Sequence, residues 1–78
     1  MKDQTYHYIV QLESGMYWAG YNTFTDQIRK ARMYNSLKHA HTDALSAIRR
    51  NSKTLTSARY RVLKVEINIL EAEDWQDI

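Results

Sequence analysis

Three histidines, His7, His39 and His41, are the side chains best suited to holding a metal or moving a proton. His39 and His41 lie two apart in a stretch with helical spacing. That spacing turns them about 200° from one another around the axis, so they do not close on one ion. No HExxH-type spacing supplies a further ligand. His41 lies beside Ala44 and Ile48, where a histidine more often packs and hydrogen-bonds than ligates. Cysteine is absent, which removes thiolate metal sites, thiol nucleophiles and disulfides together. The two glycines, Gly15 and Gly20, are too few for a phosphate-cradling loop. Serines and carboxylates are scattered rather than grouped as a triad or a glycosidase pair. Asp43 stands alone among cations and reads as a surface ion-pair partner. The sequence predicts no enzyme, no cofactor and no metal.

What remains is charge and aromatic surface. The net charge of +2 hides a segregation. Residues 27–64 hold ten of the eleven basic side chains (Arg29, Lys30, Arg32, Lys38, Arg49, Arg50, Lys53, Arg59, Arg61 and Lys64) against Asp43 alone, a block of +9. Residues 65–78 hold Glu66, Glu71, Glu73, Asp74 and Asp77 with no cation. Such a layout steers oppositely charged partners, or else the two regions neutralise one another within one molecule or across a homodimer.

Two binding readings use these residues. In the first, Tyr17, Trp18 and Tyr21 form an aromatic edge next to the cations Arg29, Lys30, Arg32, Arg49, Arg50, Lys53, Arg59 and Arg61, and the surface docks on an acidic face of another protein. Tyrosine, tryptophan and arginine dominate interface hot spots, and nine aromatics exceed what a core this small encloses. In the alternative, Arg49, Arg50, Lys53, Arg59 and Arg61 flank one loop and converge on a phosphate track, with the aromatics stacking bases. The modest overall charge and the acidic C-terminal segment weigh against nucleic acid, so a protein partner leads.

The elements that must position these groups follow from periodicity. The expectation is one α+β domain over residues 1–78, with an ordered core at about 5–70 and an acidic tail at 71–78. A small antiparallel or mixed sheet, made of an N-terminal hairpin and a C-terminal strand, is covered on one face by one main helix, with a short extra helix. Residues 6–12 alternate as a strand, Glu13-Ser14-Gly15 turns, and residues 16–21 return. Phe24, Ile28 and Ala31 fall at helical spacing, with Thr23 or Thr25 as cap. Asn35 or Ser36 caps the helix of residues 36–50, whose stripe is Leu37, Ala40, Ala44, Ala47 and Ile48. Residues 51–57 read as the main loop. Residues 60–70 read as one half-buried strand, with Arg61, Leu63, Val65, Ile67 and Ile69 toward the helix. The expected core is Tyr8, Val10, Leu12, Trp18, Phe24, Ile28, Ala31, Leu37, Ala40, Ala44, Ile48, Leu63, Val65, Ile67 and Ile69. Residues 71–78 read as frayed, with Trp75 either capping the sheet or anchoring in a partner. Apolar runs of two or three residues form neither a membrane span nor a secretory signal core, so a cytoplasmic location without membrane association is expected.

Residues 6–70 resemble a loose family of small phage and prophage open reading frames. The matching positions are Tyr17, Trp18, Gly20, Phe24, Thr25, Asp26, Ile28, Ala31, Tyr34, Ser36, Leu37 and Ala44, followed by the β run YRVLKVEINI. The resemblance implies a phage-type accessory protein acting in the host cytoplasm. That class includes inhibitors of host enzymes and of host defence systems, so a host protein is the implied partner. Most of the matching residues are core and cap positions, which speak to fold more than to target.

Overall fold

The computed structural model describes residues 5–21, 23–51 and 59–77. The alternating run at the N-terminus is β1 (His7–Leu12), which pairs antiparallel with β2 (Tyr17–Gly20). Their turn needs Gly15 at φ 97, a left-handed value that glycine adopts without steric cost. A third strand, β3 (Thr23–Thr25), then pairs with β2. Phe24 thus belongs to a strand rather than to a helix, and the short helix is a 3-10 turn, Ile28–Lys30. Thr25 Oγ1 accepts from the Gln27 N–H at 3.1 Å just before it.

The main helix, α1 (Leu37–Arg50), begins where Ser36 Oγ accepts the His39 N–H at 3.3 Å. Ala40, Ala44, Ala47 and Ile48 are buried on one face, and small side chains there let the helix lie close on the sheet. Arg49 and Arg50 occupy the last turn, where cations complement the helix dipole.

β4 (Arg59–Val65) pairs antiparallel with β1 along its whole length, from His7 opposite Val65 to Leu12 opposite Tyr60. The chain then turns at 66–68 and returns as β5 (Ile69–Ala72) and β6 (Gln76–Asp77), both alongside β4. The sheet order is β3-β2-β1-β4-β5, with β6 continuing the β5 edge against β4. This is the expected α+β architecture, a small antiparallel sheet with one main helix.

The strand-level expectations for residues 60–78 are corrected. Residues 60–70 form two strands and a turn, and β4 is covered on both faces. Tyr60 and Val62 join Val10, Leu12, Trp18, Tyr34 and the α1 alanines, so they are the β4 side chains facing the helix. Leu63 and Val65 point the other way and pack with Ile9, Ala31 and Tyr17. Ile67 falls in the turn and is 91% exposed, and Ile28, Leu37 and Ile69 are exposed as well. Tyr8 and Phe24 are half-buried against the α1 side of the core. The acidic segment is docked rather than frayed. Arg61 stacks its guanidinium 4.4 Å over the Trp75 ring, so Trp75 folds back on the sheet.

Candidate functional site

The segment after the 3-10 turn is fastened to the sheet by backbone hydrogen bonds. Arg32 N–H donates to Trp18 O at 2.9 Å, while Tyr8 and Tyr34 exchange N–H···O bonds of 2.8 Å. This delivers Arg32 and Tyr34 to the space between the β2–β3 turn and α1. A cleft of about 340 Å³ opens there, lined by Trp18, Gly20, Tyr21, Arg32, Asp43 and Arg50.

The floor is a hydrogen-bonded chain. Trp18 Nε1–H donates to the Tyr34 hydroxyl at 2.9 Å, and Tyr34 donates to Asp43 Oδ2 at 2.9 Å. Burial, then the hydrogen bond and charge of Asp43, push the Tyr34 phenol up to about 12, against the opposing effects of Trp18 and Arg32. A phenol held protonated in this way positions its neighbours and supplies no nucleophile. Asp43 Oδ1 lies 3.8 Å from His39 Nε2.

The walls are cationic and aromatic. Arg32 sits 5.6 Å from the Tyr34 ring centroid and lies along Gly20, where an added Cβ would stand 3.2 Å from two of its side-chain atoms. Gly20 also takes φ 86 beside a register shift between β2 and β3. Tyr21 follows at φ 52 and is 91% exposed. For a bulky residue that left-handed conformation costs about 1–2 kcal/mol, and no burial of the ring offsets it.

The structure divides the residues singled out in the sequence. Trp18, Tyr21, Arg32 and Arg50 meet at the cleft, with Trp18 as a buried floor. Lys30 and Arg49 are exposed on the 3-10 turn and the end of α1. Arg29 lines a different groove, on the other face of the sheet. Tyr17 packs against the second core cluster, and its hydroxyl accepts from Gln11 Nε2 at 3.4 Å. The expected convergence of Arg49, Arg50, Arg59 and Arg61 is not found, because strand alternation puts Arg59 and Arg61 on the Leu63 face of β4, away from α1. Arg59 ion-pairs with Glu13 at 3.0 Å, and Arg61 donates to Gln11 Oε1 at 2.8 Å beneath Trp75. Lys53 lies outside the described residues.

A second polar cluster carried no signal in the sequence beyond the packed position of His41. Its Nε2 lies 2.9 Å from Glu73 Oε1, and its Nδ1 lies 2.7 Å from the Tyr60 hydroxyl. A carboxylate accepts only, so in the neutral ring Nε2 carries the proton and Nδ1 accepts from Tyr60. Burial, and then the charge of Glu73, raise the Tyr60 phenol. Glu73 Oε1 also accepts the Val62 N–H at 3.3 Å. The cluster clamps the C-terminal segment to α1 and β4. Among the described residues, no three His, Asp or Glu side chains are placed to hold a metal ion, and no helix is long and apolar enough to cross a membrane.

No family model, curated protein or solved structure matches the chain.

Proposed function

We propose that this chain is a non-enzymatic binding protein of the phage accessory type. It presents the Tyr21–Arg32–Arg50 cleft to an acidic surface of a host protein, such as a defence or nucleic-acid-processing factor, and blocks or redirects that protein. The observation that carries the reading is Tyr21, a fully presented aromatic ring in a costly backbone conformation at the mouth of a cleft with two arginines.

The distribution of charge supports it. The acidic segment lies beside β4, where Glu71 is opposite Lys64 and Glu73 meets His41. Among the described residues, Lys30, Arg32, Arg49 and Arg50 make no ion pair with a carboxylate, and Asp43 in the cleft is engaged by Tyr34. The acidic segment thus lies along the β4–β5 edge of the sheet. The opposite end keeps its field, and cations around an exposed aromatic form a hot-spot composition. Phosphate binding through residues 49–61 has less support, since Arg59 and Arg61 are held on the other face.

Affinity purification of the tagged chain from a bacterial lysate, with and without nuclease, tests the proposal. One stoichiometric protein should survive nuclease and be lost with both Tyr21→Ala and the Arg32→Ala/Arg50→Ala pair. Recovery of nucleic acid alone, or a captured protein indifferent to those variants, overturns it.

A further inference from the structure

On the face of the sheet turned away from α1, the 3-10 segment and the β4–β5 turn enclose an apolar groove of about 280 Å³. Ile28, Met33 and Arg29 form one wall, and Ile67, Ile69 and Glu66 form the other. The floor is continuous with the second core cluster through Ile9 and Val65. Four of the seven large apolar side chains exposed in the described structure line this one groove, with Met33 at 64% and Ile67 at 91%. Scattered apolar exposure needs no explanation, but concentration of this kind marks an interaction surface.

The charges on the rim identify the occupant. Arg29 sits on one wall and Glu66 on the other, and they make no ion pair with each other. Thr5 Oγ1 donates to Glu66 at 3.1 Å, which leaves its negative charge in place. A uniformly acidic or basic partner would complement one wall and be repelled by the other. A second copy of this chain complements both. We propose that the groove is the interface of a two-fold homodimer. With the axis lying along the groove, each wall covers the opposite wall of the second copy. Arg29 of one copy then faces Glu66 of the other at two equivalent places, and each Ile67 seats against the Ile28 and Met33 of the other copy. Such an interface is isologous and closes on itself. It also adds apolar burial that a chain of 78 residues without a disulfide otherwise lacks. The groove lies across the sheet from the Tyr21 cleft, so the two surfaces are independent and can be occupied together.

Sedimentation velocity of the full chain over a concentration series, with far-UV circular dichroism on every variant, tests the dimer. The wild-type mass should rise from 9.3 kDa to twice that value with concentration. Ile67→Lys should remain a folded monomer throughout. Arg29→Glu and Glu66→Arg should each raise the dissociation constant at least about tenfold, the scale of a close interfacial charge pair, and the double exchange should restore it. A wild-type chain that stays monomeric overturns the proposal, as does a dimer that Ile67→Lys and both single reversals leave intact. If the pure chain is monomeric and Ile67→Lys instead abolishes capture of a lysate protein, the groove takes a foreign partner and the homodimer is wrong.

Discussion

His41 on α1 and Glu73 beyond β5 meet at 2.9 Å although 32 positions separate them. Through this contact the acidic C-terminal segment becomes part of the fold. The same carboxylate accepts the Val62 N–H, so one side chain ties three elements.

Glu73→Ala should therefore destabilise the protein by about 1–3 kcal/mol, because it leaves the His41 Nε2–H and the Val62 N–H without an acceptor. For a domain of this size that lowers Tm by several degrees. Glu73→Gln keeps one acceptor oxygen and should lose less. Thermal melts followed by circular dichroism decide it, and an unchanged midpoint for the alanine variant would mean that the segment is not docked.

The Tyr34 phenol gives a pH dependence with a definite sign. Its pKa is raised from the ordinary 10.0 to about 12, so the folded state holds this proton more tightly than the unfolded chain. The associated stability is complete below pH 10 and is lost as pH climbs toward 12. Denaturant titrations across that window should show falling stability, less steeply in Tyr34→Phe, and the variant should lack the last step in phenolate absorbance. Identical slopes would remove Asp43 and burial as the cause.

Tyr21→Gly should separate stability from binding. Glycine accepts φ 52 without a Cβ clash, and the lost ring was 91% exposed, so the variant should gain up to about 1 kcal/mol. The same variant should fail to capture the partner. A variant that melts lower than wild type would show that the exposed tyrosine contributes to the fold.

Ile67 and Leu63 share the parity of one alternating run yet should respond oppositely to aspartate. Leu63 is wholly buried beside Ile9 and Val65, and an unpaired charge there costs more than a small domain can spare. Ile67→Asp places its charge in solvent, so its far-UV spectrum should match that of the wild type while Leu63→Asp is unfolded. Loss of structure in both variants would restore the single-strand reading of residues 60–70.

That pair also shows where the sequence was legible. The β1–β2 hairpin could be read because Gly15 interrupts an alternating run, and α1 because Ser36 precedes a stripe of alanines. β4 could not be oriented, since α1 covers Tyr60 and Val62 while Ala31, just after the 3-10 turn, and Tyr17 pack with Leu63 and Val65. A strand buried on both faces carries no alternation that assigns its sides. The turn after it holds neither glycine nor proline. It is closed by the Glu66 N–H donating to Asn68 O at 3.0 Å, so Ile67 and Ile69 prolong the pattern across a reversal. Around the cleft, cations and aromatics were recognisable by type. Their partition between faces depended on strand parity and on Arg32 lying against Gly20, which composition does not encode.

The central place of β1 has a consequence during synthesis. One neighbour, β2, emerges from the ribosome almost at once, whereas the other, β4, arrives much later, with Gln11 and Arg61 50 positions apart. At about 5–20 residues per second, β1 waits roughly 3–10 seconds with one hydrogen-bonding edge open. Through that interval the nascent hairpin lacks the strand that pairs with this edge. That edge closes only when β4 is delivered, so a chain stopped before residue 59 would leave β1 unpaired on that side.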